Sequence, residues 1–345
     1  MSVGRTGFLV QTRDVFGTYV HHLDPVIFKF TEAFVLRWYG LAYLLGFLGG
    51  YLLLKRFAER KLWVLGPEKT ADFIAAAALF GVFIGGRLGY VIFYQIPRDG
   101  LDSVIENPLG ILKVWEGGMA SHGGILGLVI FTFFYARKHK VSWTGLGDGL
   151  CVVAPIGLLC GRIANFINGE LYGRVAEGLV WAVKFPMAFT DPKAPESLNF
   201  NQALIAAGDA YPPLKAELMV PGQNPFLLLA EANRRSDSVN QAIEPYLEPR
   251  HPSQIYEALL EGGLLLGILW FIRVRFPKAP SGLLTGLFFA LYATFRIFGE
   301  QFREPDADWV IEKVLTMGQF LSIFMYVFAG AFLIHTFRNR RQEQL

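Results

Sequence analysis

Residues 148–168 read DGLCVVAPIGLLCGRIANFIN, a run of 21 residues in which only Asp148 and Arg162 are charged. A membrane-spanning α-helix needs about 20 mostly apolar residues, so this run predicts a transmembrane helix. Its polar residues Arg162, Asn165 and Asn168 all fall in its last third. A charge at the bilayer centre costs on the order of 2.5–3.5 kcal/mol, so polar residues inside such a segment indicate a functional site.

Six further apolar segments lie on either side of this run. They cover residues 34–54, 71–95, 119–136, 254–272, 282–299 and 315–337. The composition agrees with a membrane protein, since 53% of the residues are hydrophobic and 18% are charged, whereas soluble domains carry about 25% charged residues. The sequence therefore predicts an all-α integral membrane protein, built as a bundle of seven transmembrane helices.

Lysine and arginine concentrate in alternate loops of this bundle. They dominate residues 55–70, 137–147, 273–281 and the C-terminal tail, whereas 96–118, 169–250 and 300–314 carry more acidic than basic residues. An excess of Lys and Arg marks the cytoplasmic side of a membrane. We therefore expect the N-terminus outside and the C-terminus in the cytoplasm.

This topology divides the chain into five predicted parts. They are an outer N-terminal arm (1–33), transmembrane helices 1–4 (34–171), a small outer head (172–250), transmembrane helices 5–7 (251–337) and a cytoplasmic tail (338–345). Residues 25–28 of the arm predict an amphipathic piece on the outer surface. In the head, the alternation in 178–183 predicts short strands, and the many prolines indicate partly irregular structure.

Polar residues from several predicted helices fall near their outer ends. Arg296 with Glu300, or Arg87 with Glu257, are candidates for structural ion pairs. A lone histidine such as His122 is more often a core residue than a catalyst. Convergence at one depth nevertheless favours a site, which would contain Arg87, His122, Arg162, Asn165, Asn168, Glu257, Arg296 and Glu300.

Arginines near the outer leaflet suit a phosphate group. A guanidinium group gives bidentate hydrogen bonds to phosphoryl oxygens and stays charged when it is desolvated. The phosphate found at that depth is a phospholipid headgroup. A histidine titrates near neutral pH and can remove a proton from a nucleophile. These parts together predict a lipid-modifying transferase.

Glycine pairs near the outer helix ends have two explanations. Small residues allow helices to approach closely in lipid, and they also leave room for a lipid headgroup beside a catalytic residue. The sequence favours neither explanation for the pairs 85–86, 117–118, 123–124 and 262–263.

Other classes of ligand have little support in the sequence. The net charge of +3 gives no reason to expect nucleic acid. Cys151 and Cys160 lie about 13 Å apart along one predicted helix, too far for a disulfide bond. We expect neither a metal ion nor a cofactor.

Five stretches carry a resemblance to a known family. They are Arg37–Gly40 (RWYG), His122–Gly127 (HGGILG), Gly161–Arg174 (GRIANFINGELYGR), His251–Glu257 (HPSQIYE) and Arg296–Asp306 (RIFGEQFREPD). In sequence and in order they resemble the motifs of the bacterial phosphatidylglycerol:prolipoprotein diacylglyceryl transferases. Two departures are Ala164, where many members have glycine, and a segment 176–250 that is longer than expected. Residues in that segment inherit no role.

The resemblance implies an enzyme of the bacterial inner membrane with a periplasmic head. Its partners would be phosphatidylglycerol, whose diacylglyceryl group it transfers, and a prolipoprotein signal peptide, whose lipobox cysteine receives that group as a thioether. Glycerol 1-phosphate would be released. By motif position, the functional residues of the family fall on Tyr39, His122, Arg162, Asn165, Gly173, Arg296 and Glu300.

We assign roles to these residues as hypotheses. His122, Arg162, Arg296 and Tyr39 are the predicted catalytic residues. The arginines hold the lipid phosphate and stabilise the departing group, and His122 takes the proton of the thiol. The predicted phosphatidylglycerol-binding set is Arg162, Asn165, Gly173, Arg296, Glu300, Arg87 and Glu257. Within that set, Glu300 orients Arg296, while Tyr39 and Asn165 position the headgroup.

Two other classes are weaker alternatives. An intramembrane protease would use Ser121 and His122, but adjacent residues on a helix point about 100° apart, and the sequence has no nucleophile-elbow motif. A non-catalytic phospholipid transporter would use the same arginines, but it needs a polar path to the cytoplasmic side. The inner halves of the predicted helices have no such path.

Overall fold

A computed structural model describes residues 18–31, 35–112, 118–305 and 314–342. Most of these residues are helical. The helices discussed below are α1 (Trp38–Glu59), α2 (Pro67–Asp99), α3 (Asp102–Glu106), α4 (Ser121–His139), α5 (Trp143–Asn168), α6 (Phe200–Ala210), α7 (Pro212–Leu218), α8 (Pro225–Arg235), α9 (Asp237–Ile243), α10 (Ser253–Arg275), α11 (Leu283–Gly299) and α12 (Met317–Gln342). Four short strands are β1 (Tyr19–Val20), β2 (Val26–Lys29), β3 (Val35–Arg37) and β4 (Val183–Lys184).

Five helices among the described residues are long and apolar enough to cross a membrane, namely α1, α2, α5, α10 and α12. Helix α11 is apolar but has 17 residues. Helix α4 has 19 residues, with His122 near its start and Arg137 and Lys138 in its last turn. The protein is therefore a multi-pass membrane protein, and α4 and α11 are apolar helices that fall short of these five in hydropathy or in length.

The first predicted transmembrane segment differs from the observed helix at both ends. Residues 35–37 form β3, which pairs antiparallel with β2, so α1 begins only at Trp38. The amphipathic piece predicted at 25–28 thus lies largely in a strand. At its other end α1 continues beyond the predicted residue 54, through Lys55 and Arg56, to Glu59. Basic residues are tolerated there, because their long side chains can place the charge in polar surroundings beyond the apolar part of the helix.

The chain divides into two compact units. The bundle unit comprises residues 26–164, 255–301 and 305–345, and the insert unit comprises 1–25, 165–254 and 302–304. In the bundle unit, α2 and α4 pack through glycines. A Cβ atom added to Gly85 would lie 2.7 Å from the Gly123 oxygen and 2.8 Å from the Gly127 Cα. Close helix packing therefore explains these glycines, whereas Gly263 faces open space.

Asp148 joins three helices of the bundle unit. This buried side chain of α5 accepts hydrogen bonds from the Gly282 and Thr285 backbone nitrogens and from the Thr285 hydroxyl, at 2.8–2.9 Å. It therefore caps the N-terminus of α11 from another helix. Arg273 of α10 lies 3.4 Å from the same carboxylate. This junction fixes the positions of α5, α10 and α11, which carry the polar cluster described below.

The insert unit is more helical than the sequence suggests. Helices α6, α8 and α9 surround a buried apolar cluster that includes Ala203, Leu229 and Ile243. Pro212 and Pro225 begin α7 and α8, where the missing N–H of proline is not needed. Prolines that predict irregular structure therefore mark helix starts. Among the described residues of the insert unit, the strands are β1 and β4, which pair in parallel, and residues 179–182 form a turn.

Candidate functional site

Two arginines and three glutamates form one connected chain in the bundle unit. Arg162 of α5 contacts Glu261 and Glu257 of α10 at 3.0 and 3.1 Å. Arg296 of α11 contacts Glu257 at 2.7 Å and Glu300 at 2.9 Å. Glu257 thus bridges both guanidinium groups, one with each carboxylate oxygen. We call these five residues the Arg–Glu cluster.

Local backbone structure brings these side chains together. Residues Ala258–Leu264 of α10 form a π-type turn, a feature that recurs at functional sites and closes i→i+5 hydrogen bonds. The wider turn helps Glu257 and Glu261 to reach the same arginine from positions four residues apart. Arg296 and Glu300 are also four residues apart, the spacing that places two residues on one helix face.

The cluster is accessible only through its arginines. Glu257 and Glu261 are 0% exposed and Glu300 is 2% exposed. The side chains of Arg162 and Arg296 are 15% and 13% exposed. The buried carboxylates therefore fix the guanidinium groups in place, and part of each guanidinium group stays exposed to a ligand.

Arg87 has a different environment. Its three guanidinium nitrogens donate to the backbone carbonyls of Gly110, Ile111 and Gly118 at 2.7–2.9 Å, and the group also lies over the Tyr90 ring. These contacts hold the backbone of Gly110, Ile111 and Gly118 against α2. Glu257, which the sequence offered as an ion-pair partner of Arg87, instead contacts Arg162 with one carboxylate oxygen and Arg296 with the other.

Tyr39 and His122 lie at helix starts. Tyr39 is half-buried in the first turn of α1, and His122 is exposed as the second residue of α4. An apolar groove of about 620 Å³ runs between α2 and α4, and its lining on α4 extends from Gly123, the residue after His122, to His139. Among the described residues, the structure gives His122 no hydrogen bond that would fix its ring.

Asn165 and Gly173 belong to the insert unit. The buried Asn165 side chain donates to Glu170 at 2.9 Å, and the Glu170 carbonyl accepts a bond from Gln254 at 2.7 Å. Gly173 fits between two backbone segments, because a Cβ atom there would lie 2.4 Å from the His251 oxygen and 2.5 Å from the Phe302 oxygen. Three of the sequence motifs therefore meet in this unit.

Arg250 organises the same motifs, although sequence analysis assigned it no role. It forms two 2.7 Å bonds with Glu196 and further bonds with the Gly173 carbonyl and Glu304. Its guanidinium group lies 4.8 Å from the Tyr172 ring centre. Burial lowers the pKa of Arg250, but the hydrogen bonds and charge of Glu196 outweigh this effect, and the pKa is raised. Arg250 is thus a permanent cation inside the unit.

Sequence reasoning found most of the charged residues of the bundle unit. It named Arg162, Glu257, Arg296 and Glu300 and assigned no role to Glu261. Two acidic residues four apart in an apolar segment were the available signal for Glu261. The signal for Arg250 was absent, because its partner Glu196 lies 54 residues away.

These features define a class of protein. They are those of a multi-pass membrane protein that keeps two orientated, partly exposed arginines among apolar helices, an arrangement whose charge and geometry suit an anionic group. An apolar groove between α2 and α4 has room for hydrocarbon.

Comparison with known proteins identifies the family. Residues 25–335 match the family model for prolipoprotein diacylglyceryl transferase. A relative from Serratia proteamaculans (strain 568), named phosphatidylglycerol–prolipoprotein diacylglyceryl transferase, is 38% identical over 323 residues, 93% of this chain and 96% of the relative. Proteins of the same name from Bdellovibrio bacteriovorus and Cronobacter sakazakii are 39% and 37% identical, over 89% and 95% of this chain and 91% and 98% of their own lengths. The chain belongs to the prolipoprotein diacylglyceryl transferase family, which confirms the resemblance seen in the motifs.

Proposed function

We propose that this protein transfers the diacylglyceryl group of phosphatidylglycerol to the lipobox cysteine of a prolipoprotein. The sulfur–carbon bond of a thioether forms, and the bond between that carbon and the phosphate oxygen breaks. The thiol proton passes to a base, and the phosphate leaves as glycerol 1-phosphate. The family membership and the names of the relatives support this reaction over a transporter or a protease.

The observation that carries the proposal is the partly exposed pair of arginines in the Arg–Glu cluster. Buried glutamates fix both guanidinium groups before a substrate arrives. Fixed donors directed at a group that gains charge during reaction can contribute about 10²–10³ in rate each. The phosphate gains negative charge as it leaves, so Arg162 and Arg296 are proposed to bind it and to stabilise its departure.

Other predicted residues have supporting roles in this proposal. Tyr39, Asn165 and Gly173 belong to the headgroup site by motif position, and Glu257 and Glu300 orient the arginines. Arg87 holds the segment before α4, where His122 is the proposed base. The groove that begins at Gly123 is lined mainly by apolar side chains and glycines, which suits an acyl chain of the donor lipid.

The reaction can be tested with the full chain in vesicles of phosphatidylglycerol. Release of glycerol phosphate is expected only when a lipobox peptide with cysteine is present. A matched peptide with serine in place of the cysteine is the control, and phosphatidylethanolamine vesicles test the headgroup. Release without any peptide would indicate a lipid hydrolase and overturn the proposal.

The proposed base has its own test. His122→Gln retains hydrogen bonding but cannot accept the proton at neutral pH, so turnover should fall by about 10²–10⁴-fold with little change in lipid binding. The defect should shrink towards pH ~9, where the thiol ionises without help. An equal defect at pH ~7 and pH ~9 would remove His122 from this role.

We also propose a location and topology. The protein lies in the inner membrane of a bacterium, with seven transmembrane helices, the N-terminus and the head (172–250) in the periplasm, and the C-terminal tail in the cytoplasm. The alternating Lys and Arg content of the loops supports this arrangement. In a variant without Cys151 and Cys160, single cysteines in 96–118 or 200–240 should react with an impermeant reagent from outside. Labelling in 55–70 would overturn the topology.

A further inference from the structure

Glu261 differs from the other two glutamates of the Arg–Glu cluster. Its Oε2 atom accepts from Arg162 Nε at 3.3 Å and from Arg162 Nη2 at 3.0 Å. Its Oε1 atom is buried and has no hydrogen-bond partner among the residues that the structure describes. Glu257, in contrast, uses both oxygens on two arginines. One oxygen of the Glu261 carboxyl group is therefore bonded to Arg162, and the other is buried without a hydrogen bond to any described residue.

The cluster also has an imbalance of charge. Two arginines face three glutamates, so the group would carry a net charge of −1 with all five side chains ionised. That charge would oppose the binding of an anionic phosphate. A buried carboxylate oxygen without a partner is costly when charged, and much less so when it is neutral.

The charged and titratable neighbours of Glu261 come from three helices. Arg162 approaches from α5, Arg296 and Tyr292 face it from α11, and Glu257 lies four residues earlier on its own helix. The two arginines favour the ionised form of Glu261, whereas Glu257 disfavours it. Since Glu257 and Glu300 already pair with both arginines, one proton on Glu261 makes the cluster neutral.

We infer that Glu261 is a positioning residue that holds Arg162 through Oε2 and carries a proton on Oε1 while the cluster binds an anionic phosphate. The affinity for the lipid then depends on whether Glu261 carries this one proton. This inference rests on the proposed function, since the phosphate is that of phosphatidylglycerol. Loss of the proton as pH rises restores the net negative charge and weakens binding.

The test is the pH dependence of the KM for phosphatidylglycerol, measured with the full chain in vesicles between about pH 6 and about pH 9. The wild-type KM should rise with pH, by at most about tenfold per pH unit, the limit for one linked proton. Glu261→Gln keeps an acceptor for Arg162 and is permanently neutral. Its KM should match the wild type at the acidic end and remain flat.

Glu231→Gln is the matched control, because it makes the same substitution at an exposed glutamate outside the Arg–Glu cluster and leaves the charge of the cluster unchanged. Its KM should still rise with pH. In infrared spectra, a protonated-carboxyl band should be present in the wild type and in Glu231→Gln and missing in Glu261→Gln.

Several outcomes would overturn the inference. They are a wild-type KM that does not change with pH, a Glu261→Gln variant that retains the wild-type slope, or an infrared band that survives in Glu261→Gln. If Glu261→Gln does not fold, the pH dependence of the wild-type KM and the carboxyl band in the wild-type spectrum still decide. A wild type that shows no transfer at any pH would instead count against the proposed function.

Discussion

Both units contain a buried arginine–glutamate network, but the two networks differ in how completely the arginine is used. Arg250 of the insert unit is 1% exposed and donates to Glu196, Glu304 and the Gly173 carbonyl. Arg162 and Arg296 of the bundle unit make fewer contacts and are 15% and 13% exposed. A fully buried guanidinium group stabilises structure, whereas a partly exposed one can still bind a ligand.

The largest effect that this comparison of the two networks predicts follows from Arg162→Lys. Lysine keeps the positive charge but loses the planar, bidentate donor geometry. We expect the transfer rate to fall by about 10²–10³-fold, the size seen when one fixed donor to a developing charge is removed. Membrane insertion and thermal stability should change little.

Arg273→Lys is the control for this variant. It alters a bundle-unit arginine that pairs with Asp148 outside the Arg–Glu cluster, so its activity should stay within a fewfold of the wild type. Wild-type turnover by Arg162→Lys would show that the partly exposed guanidinium group has no role in phosphate binding.

Gly173→Ala tests the backbone contacts that the insert unit builds around Arg250. The new Cβ atom would meet backbone oxygens on both sides at 2.4–2.5 Å, and neither can move as a flexible side chain would. Overpacking of this kind costs about 1–3 kcal/mol, and we expect the upper part of that range for the free energy of unfolding of the insert unit. Urea-dependent proteolysis measures it.

Gly267→Ala provides the comparison, because a Cβ atom at Gly267 has open space around it. It should leave stability unchanged or slightly higher. Equal stability of the two alanine variants would mean that residues 173, 251 and 302 are not in close contact.

Arg250→Lys separates structure from activity. It replaces the bidentate contact with Glu196 by a single ammonium group, which cannot also donate to both the Gly173 carbonyl and Glu304. Breaking a buried pair costs about 3–5 kcal/mol, and since lysine retains the charge we expect a loss of about 2–3 kcal/mol. The remaining folded enzyme should have a KM and kcat near the wild type.

The exposed Arg235 offers a matched control for that variant. It pairs with Glu217 and Glu231 on the surface, where Arg235→Lys should change stability by no more than about 0.5 kcal/mol. A large loss of kcat in folded Arg250→Lys would place Arg250 in the reaction and erase the distinction between the two networks.

The sequence alone predicted the contacts between residues that lie close together in the chain. Arg296 and Glu300 are four residues apart, so helix periodicity predicts their contact, and apolar runs predict the long helices. Contacts between distant residues were not predictable in this way, because no period relates Arg250 to Glu196 or Asp148 to Thr285. The partner of Glu257 could not be predicted either. A buried carboxylate can pair with any cation within reach, and several arginines lie at a similar predicted depth in the membrane.

The smallest expected effect concerns His21, a buried side chain of the insert unit. Its ring is buried between Phe166 and Phe185, and Nε2 has no partner among the described residues. Burial lowers its pKa to about 4, against a smaller opposing effect of a hydrogen bond to the Phe166 backbone, and the charges of His22 and Arg234 lower it further.

Acid should therefore destabilise the insert unit through His21. The unfolded chain takes up the proton near pH 6.5, whereas the folded unit takes it up only near pH 4, so stability is complete above about pH 6.5 and is lost as pH falls towards 4. The loss at pH ~5 should be about 2 kcal/mol. His21→Phe should abolish this acid dependence, and His22→Phe, which alters an exposed neighbour, should retain it. Because the affected group lies outside the Arg–Glu cluster, KM and kcat per folded molecule should not follow the loss. An acid dependence that persists in His21→Phe would assign it to other groups.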